Sequence, residues 1–298
     1  MSLKAEKTKL FAKLGKADKK MALDLEHPKR GSQELDLLEF TKKVRVKPFD
    51  VNGFCGVTIN GSYPKNDHIL MLPGGAYTLE PDKRVREIGE HFAVMEGFRV
   101  TIFQYPLAPE YTALAAHQCL MEAYEGLIKE YPKDTFYLFG DFSGGGLALS
   151  FLQELRDRGD LPMPHKTAVV SPWLDIALNN PKIKLFQKTD FILPVEALRA
   201  VGEKYCGPLE TDHPFVSPLY GDWDHLGPIL VFSGTEESMT PDCELLAEKA
   251  GKLEGTDIIY KKGAGMFHNW IRVPSKETEG TFKLICSFFL DEDQVIKV

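Results

Sequence analysis

The sequence predicts an α/β protein whose mostly parallel sheet is covered by helices on both faces. Three observations carry this. Near-continuous apolar runs such as HILML (68–72), TFYLFG (135–140) and PILVF (228–232) read as strands buried on both sides. Segments with helical periodicity separate most of these runs. Several runs end directly in glycine-bearing turns, PGG at 73–75 and GDFSGGG at 140–146 among them.

In chain order, the lysine-rich start (MSLKAEKTKLFAKLGKADKKMALD) predicts an amphipathic helix. Its lysines would form a solvated face, with Leu10, Phe11 and Leu14 on the other side; a face touching lipid is the alternative. KVRVKPFDV and FCGVTIN read as two early strands, paired as a hairpin. RVREIGEHFAVMEG is a helix with Gly97 placed to stop it. FRVTIFQYPLAPE reads as a strand, ALAAHQCLMEAYEGLIKEY as a long helix, TFYLFGD as the central strand and GGLALSFLQELRDRG as the helix after it. KTAVVSPW, PILVFSGT and DIIYKKG continue the strands, and the last two precede the helices PDCELLAEKAGKL and SKETEGTFKLICSFFL. Residues 176–227 break the rhythm and predict helical insertion material above the sheet.

The chain has 298 residues, 43% of them hydrophobic, enough for one large α/β domain or two smaller ones. Its net charge of −7 argues against nucleic acid as a partner. No apolar run is long enough to span a bilayer, so integral membrane contact is not expected, and the N-terminus does not read as a secretory signal. Five cysteines without C-x-x-C spacing predict reduced thiols, a cytoplasmic location and no metal site.

Ligands of open α/β sheets bind beyond the carboxyl ends of the strands, and four such ends here carry suggestive residues. After HILML, Gly74 and Gly75 let the backbone N–H groups approach a developing oxyanion, or simply make a turn. In the strand–turn–helix at 137–151, a nucleophile elbow requires small residues two before and two after its centre. Gly140 and Gly144 satisfy this around Phe142. Centring on Ser143 instead would put Asp141 in the crowded place. A one-residue relaxation through Gly144, Gly145 and Gly146 would still present Ser143. Beyond VFSG, Glu237 is the candidate acid, while Asp242 is either an alternative acid or the start of a helix. Finally His268, in the loop GAGMFHNW, completes the order Ser…Glu…His.

These residues together resemble the hormone-sensitive-lipase-like branch of the α/β-hydrolases, the carboxylesterases and acetyl esterases. YPLAPEY (105–111) is similar to that family's Y-R-L-A-P-E. GDFSGGGLAL (140–149) aligns ungapped with its G-D-S-A-G-G-x-L-A-L. SPWLD (171–175), SPLY (217–220), FSGTEE (232–237) and GMFHNW (265–270) match later landmarks, and the likeness runs from about residue 66 to the C-terminus. The resemblance implies an α/β-hydrolase core over 43–298 with a helical cap built from residues 1–42 and the 176–214 insertion. It implies oxyanion donors at Gly74, Gly75 and the residue after the nucleophile (Gly144 if Ser143 attacks), with Glu237 and His268 as acid and base. Two departures fall on the catalytic machinery. The family's H-G-G-G is Pro73-Gly74-Gly75-Ala76 here, and Phe142 occupies the nucleophile's place.

The expected activity is hydrolysis of short acyl esters through Ser143, His268 and Glu237, with no cofactor or metal. The alternative is a pseudo-esterase that keeps its pocket for a ligand, with Phe142 filling the space of a substrate carbonyl. A dinucleotide enzyme is disfavoured, because 140–146 lacks G-x-G-x-x-G spacing. Expected partners are a small acyl-ester substrate or ligand and a second copy of the chain as a possible homodimer.

Overall fold

The computed structural model describes residues 1–31 and 40–291; residues 32–39 of the expected N-terminal cap segment, and 292–298, lie outside these. Eight strands form one sheet among the described residues: β1 (Arg45–Val51), β2 (Phe54–Asn60), β3 (Asp67–Leu72), β4 (Arg99–Phe103), β5 (Thr135–Asp141), β6 (Lys166–Val170), β7 (Gly227–Gly234) and β8 (Thr256–Gly263). Their order is β1-β2-β4-β3-β5-β6-β7-β8. β1 and β2 pair antiparallel, as do β2 and β4, and every other pairing is parallel. The β1–β2 connection is Asn52-Gly53, both at positive φ, the two-residue turn whose twist matches a hairpin.

Side chains alternate across the strands, so the sheet separates two apolar layers. Leu70, Leu72, Phe136, Leu138, Ile229 and Val231 belong to one layer. Their neighbours Ile69, Met71, Tyr137, Phe139, Leu230 and Phe232 belong to the other. The helices covering these layers include α3 (Lys83–Met95), α4 (Ala113–Glu130), α5 (Phe142–Arg158), α8 (Thr240–Lys249) and α9 (Lys276–Phe289). α3 ends where Gly97 turns the chain at φ +75°. β4 is shorter than its apolar pattern suggests. Gln104 N–H still donates to the Cys55 carbonyl at 3.1 Å, but Pro106 and Pro109 supply no N–H to a ladder, so residues 105–111 leave the sheet and Ala108 N–H donates instead to the Tyr77 carbonyl at 2.8 Å.

Between β6 and β7 the chain forms α6 (Ile183–Phe186) and α7 (Val195–Cys206). Tyr205 of α7 stacks on Tyr77 beyond β3 at 3.8 Å, and Phe191 packs against Phe267 beyond β8. At the N-terminus α1 (Leu3–Leu14) is followed by α2 (Ala17–Glu26), which contacts α7.

The orientation of α1 differs from the expectation that its large apolar residues pack inward. Leu10, Phe11 and Leu14 are 55%, 71% and 70% exposed, whereas Ala5 is 1% exposed. The inward face is made of small or polar residues. Ser2 bonds Glu277, Lys9 pairs with Glu236, and the Lys13 ammonium sits over the Phe191 ring at 5.4 Å.

Candidate active site

The elbow forms where β5 runs into α5, and its centre is Phe142, which sits at φ +50°. Gly140 and Gly144 flank it because nothing larger fits. A Cβ on Gly140 would meet the Gly144 carbonyl, and one on Gly144 would be driven into the Leu72 carbonyl of β3. The relaxation that would present Ser143 as the elbow residue therefore does not occur. Gly144 lies two residues past the elbow, where its contact with β3 gives it a packing position rather than that of the residue following a nucleophile.

The Phe142 ring is 3% exposed. It stacks on Trp173 with centroids 5.3 Å apart and planes 7° from parallel, and meets the His268 imidazole edge-on at 4.4 Å. His268 lies in the loop after β8, and its Nδ1 is 2.7 Å from Glu237 Oε2. The other Glu237 oxygen accepts from the Ser171 hydroxyl at 2.9 Å and from the Gly234 N–H. Ser171 Oγ in turn accepts the Asn269 N–H at 3.1 Å, tying the acid to the histidine loop. Glu237 and His268 thus form a buried, oriented pair, and the group set against the imidazole is a phenyl ring.

Ser143 points elsewhere. Its Oγ accepts the Gly75 N–H at 3.0 Å and lies 3.3 Å from the Tyr105 hydroxyl, which donates to the Pro73 carbonyl at 2.8 Å. The Gly74 N–H donates to Asp141 Oδ1 at 3.0 Å. Both glycine donors beyond β3 are therefore engaged by side chains of the elbow.

Asp141 joins a network that sequence reasoning missed. Arg272 Nε donates to Asp141 Oδ2 at 2.8 Å, Arg272 Nη2 donates to the Gly74 carbonyl at 2.8 Å, and Asn269 Nδ2 also donates to Asp141. Burial alone would push the Asp141 carboxyl upward. The Arg272 charge and the hydrogen bonds from Arg272, Asn269 and Gly74 outweigh it and hold the group below its usual range. The available signal was Asn269 next to His268, with Arg272 three residues on; only the fold brings both under Asp141. Tyr105 stood in a motif already singled out, without a role.

The carboxylate bonded to His268 is that of Glu237, and Asp242 lies in the first turn of α8. It does not cap the helix: its Oδ1 accepts from Asn180 Nδ2 at 2.9 Å, and burial pushes its carboxyl up to about 7. Among the described residues no group of three His, Cys, Asp or Glu side chains is disposed to hold a metal ion, and no helix is long and apolar enough to cross a membrane.

A mostly parallel sheet with a nucleophile elbow after β5, an acid after β7 and a histidine after β8 defines an α/β-hydrolase, and a family model described as the alpha/beta hydrolase fold matches residues 69–272. The chain belongs to that family. It is 32% identical over 203 residues to an acetyl-hydrolase of Streptomyces hygroscopicus, covering 68% of this chain and 67% of the relative. It is 30% identical over 230 residues to an esterase of Acinetobacter venetianus, covering 76% and 75%. Among solved structures it resembles an esterase from the bacterial hormone-sensitive lipase family, with TM-score 0.78, 25% identity, and 93% and 98% of the two chains covered. A hormone-sensitive lipase from a metagenome library has TM-score 0.78 at 23% identity, covering 94% and 97%, a likeness of fold.

Proposed function

We propose that the protein is an esterase-type α/β-hydrolase silenced at its nucleophile, one that binds a short acyl ester or a related carbonyl compound without cleaving it. The observation that carries this reading is Phe142 at the strained elbow position, its ring 4.4 Å from the His268 imidazole. A triad needs a hydroxyl within hydrogen-bond reach of that imidazole, and a phenyl ring neither yields a proton nor attacks a carbonyl. The engagement of Gly74 by Asp141 and of Gly75 by Ser143 supports the same reading, since a carbonyl oxygen entering there meets donors already in use.

The ligand class rests on the relatives, named acetyl-hydrolase and esterase. A cavity of about 220 Å³ lined by Tyr105 together with Phe54, Leu107, Tyr111, Arg30 and Glu110 supports a small, partly apolar ligand. We assign the described part of residues 1–42 (1–31 and 40–42) and the 176–214 insertion to a cap, on the contacts of α7 with Tyr77 and α2.

A second reading is hydrolysis of short acyl esters by Ser143, with His268 as base and Glu237 orienting it. The assembled Glu237–His268 pair at 2.7 Å favours it. It requires Ser143 to leave Gly75, and the phenyl ring to leave the imidazole.

Hydrolysis of p-nitrophenyl acetate and butyrate separates the two. The silenced reading expects the wild type and Ser143→Ala to match the protein-free rate. It also expects Phe142→Ser, which places a hydroxyl beside His268, to exceed that rate by about 10²-fold or more. Wild-type turnover that disappears in Ser143→Ala would establish the second reading instead.

A further inference from the structure

We propose that α1 is an interfacial anchor, its outward Leu10, Phe11 and Leu14 entering the headgroup region of an anionic lipid bilayer while the surrounding lysines meet lipid phosphates. The first ground is the inverted amphipathicity of the helix. On a helix docked to its own domain the large apolar residues face inward. Here Leu3, Leu10 and Leu14 fall on one stripe with Phe11 beside it, at 76%, 55%, 70% and 71% exposure, and the inward contacts are made by Ser2, Ala5, Lys9 and Lys13. The helix is held to the body by Ala5, by the polar bonds of Ser2 and Lys9 and by Lys13 on the Phe191 ring, and these contacts leave its apolar stripe to the outside. Leu23 of α2, 58% exposed, adds a further apolar side chain nearby in the chain.

Charge selects the occupant. Residues 1–20 carry seven lysines against Glu6 and Asp18, in a chain whose net charge is −7. A second copy meeting this stripe face to face would bring its own lysines into contact with these. An anionic bilayer offers both an apolar layer and the opposite charge, at about 1 kcal/mol per basic residue near the surface. Twelve residues make a helix of about 18 Å, too short to span a bilayer and suited to lying in its interface.

The attachment points connect the anchor to the candidate site. Lys9 pairs with Glu236, the neighbour of Glu237. Lys13 sits on Phe191, which packs on Phe267, the neighbour of His268. A bilayer holding α1 therefore lies against the face of the molecule that carries the acid and histidine loops.

The test is co-sedimentation of the full chain with equimolar phosphatidylcholine–phosphatidylglycerol vesicles and with phosphatidylcholine alone. The wild type is expected to bind the anionic vesicles at least about tenfold more tightly, and less tightly as salt is raised. Replacing Leu10, Phe11 and Leu14 together by serine is expected to weaken that binding by about tenfold or more at an unchanged melting temperature, since all three are exposed. Lys4→Glu with Lys7→Glu should remove the preference for the anionic lipid. Failure of the wild type to bind either vesicle, or a triple-serine variant that binds as well as the wild type, would overturn the proposal. So would a wild-type dimer, seen by sedimentation velocity, that the triple variant abolishes without any loss of vesicle binding.

Discussion

Phe142 holds two roles that pull against each other. A positive φ on a bulky residue costs on the order of 1–3 kcal/mol, which an elbow usually tolerates because it projects a nucleophile. Here the compensation is packing. Burying a phenyl ring contributes about 1.5–3 kcal/mol, and stacking on Trp173 adds about 0.5–1.5 kcal/mol. Phe142→Ala keeps the strained backbone and empties the space between Trp173 and His268. It should lower unfolding free energy by about 3 kcal/mol in a denaturant titration; a change within about 0.5 kcal/mol would mean the ring contributes little to the fold. The steric frame of this turn was legible in the sequence, because Gly140 and Gly144 bracket only one centre. The direction of the Ser143 hydroxyl was not, since it depends on Gly75 and Tyr105 arriving from β3 and β4.

At the scale of elements, the fold was readable wherever a local period decided it. The alternation of buried runs with helices gave the parallel sheet, and Gly97 marked the end of α3. Two readings failed, the first because prolines within the segment outweighed its apolar pattern and the second because distant partners decided it. FRVTIFQYPLAPE looks like one long strand, yet its prolines end the ladder at Phe103. The apolar stripe of α1 was expected inside, but Glu236, Glu277 and Phe191 hold the opposite face. Glycines make the contrast between local and tertiary control measurable. Gly144 enters α5 against the Leu72 carbonyl, so Gly144→Ala forces α5 and β3 apart and should cost more than about 3 kcal/mol or prevent folding. Gly126 is exposed within α4 with nothing near a Cβ, and Gly126→Ala should stabilise by about 0.5–1 kcal/mol in thermal melts. Equal effects at the two positions would contradict this account of the elbow.

Across the whole molecule, two buried carboxyls set opposite pH trends. Asp141 is held below its usual range, so its contribution to stability is present above about pH 4 and is lost as pH falls through its folded value. Asp242 runs the other way. Burial, with the Asn180 hydrogen bond opposing and the Asp175 charge adding, lifts it to about 7, above the unfolded value. The native state then binds more protons than the unfolded chain between about pH 4 and about pH 7, and stability falls as pH rises through that window. Asp242→Asn keeps an oxygen for Asn180 and removes the ionisation. Its melting temperature should exceed the wild type's at about pH 8, by the equivalent of about 1–3 kcal/mol, and match it near about pH 4. A constant difference at both pH values would show that Asp242 does not titrate in the fold.

The intact frame around Phe142 also has a genetic reading. Phenylalanine codons (UUU, UUC) become serine codons (UCU, UCC) by a change of the middle base alone. Gly140, Gly144, Glu237 and His268 already stand where a serine at 142 would meet them. The distance between this chain and one with a hydroxyl at its elbow is therefore a single transition in the DNA, so loss and recovery of the group lie equally close for a lineage carrying it.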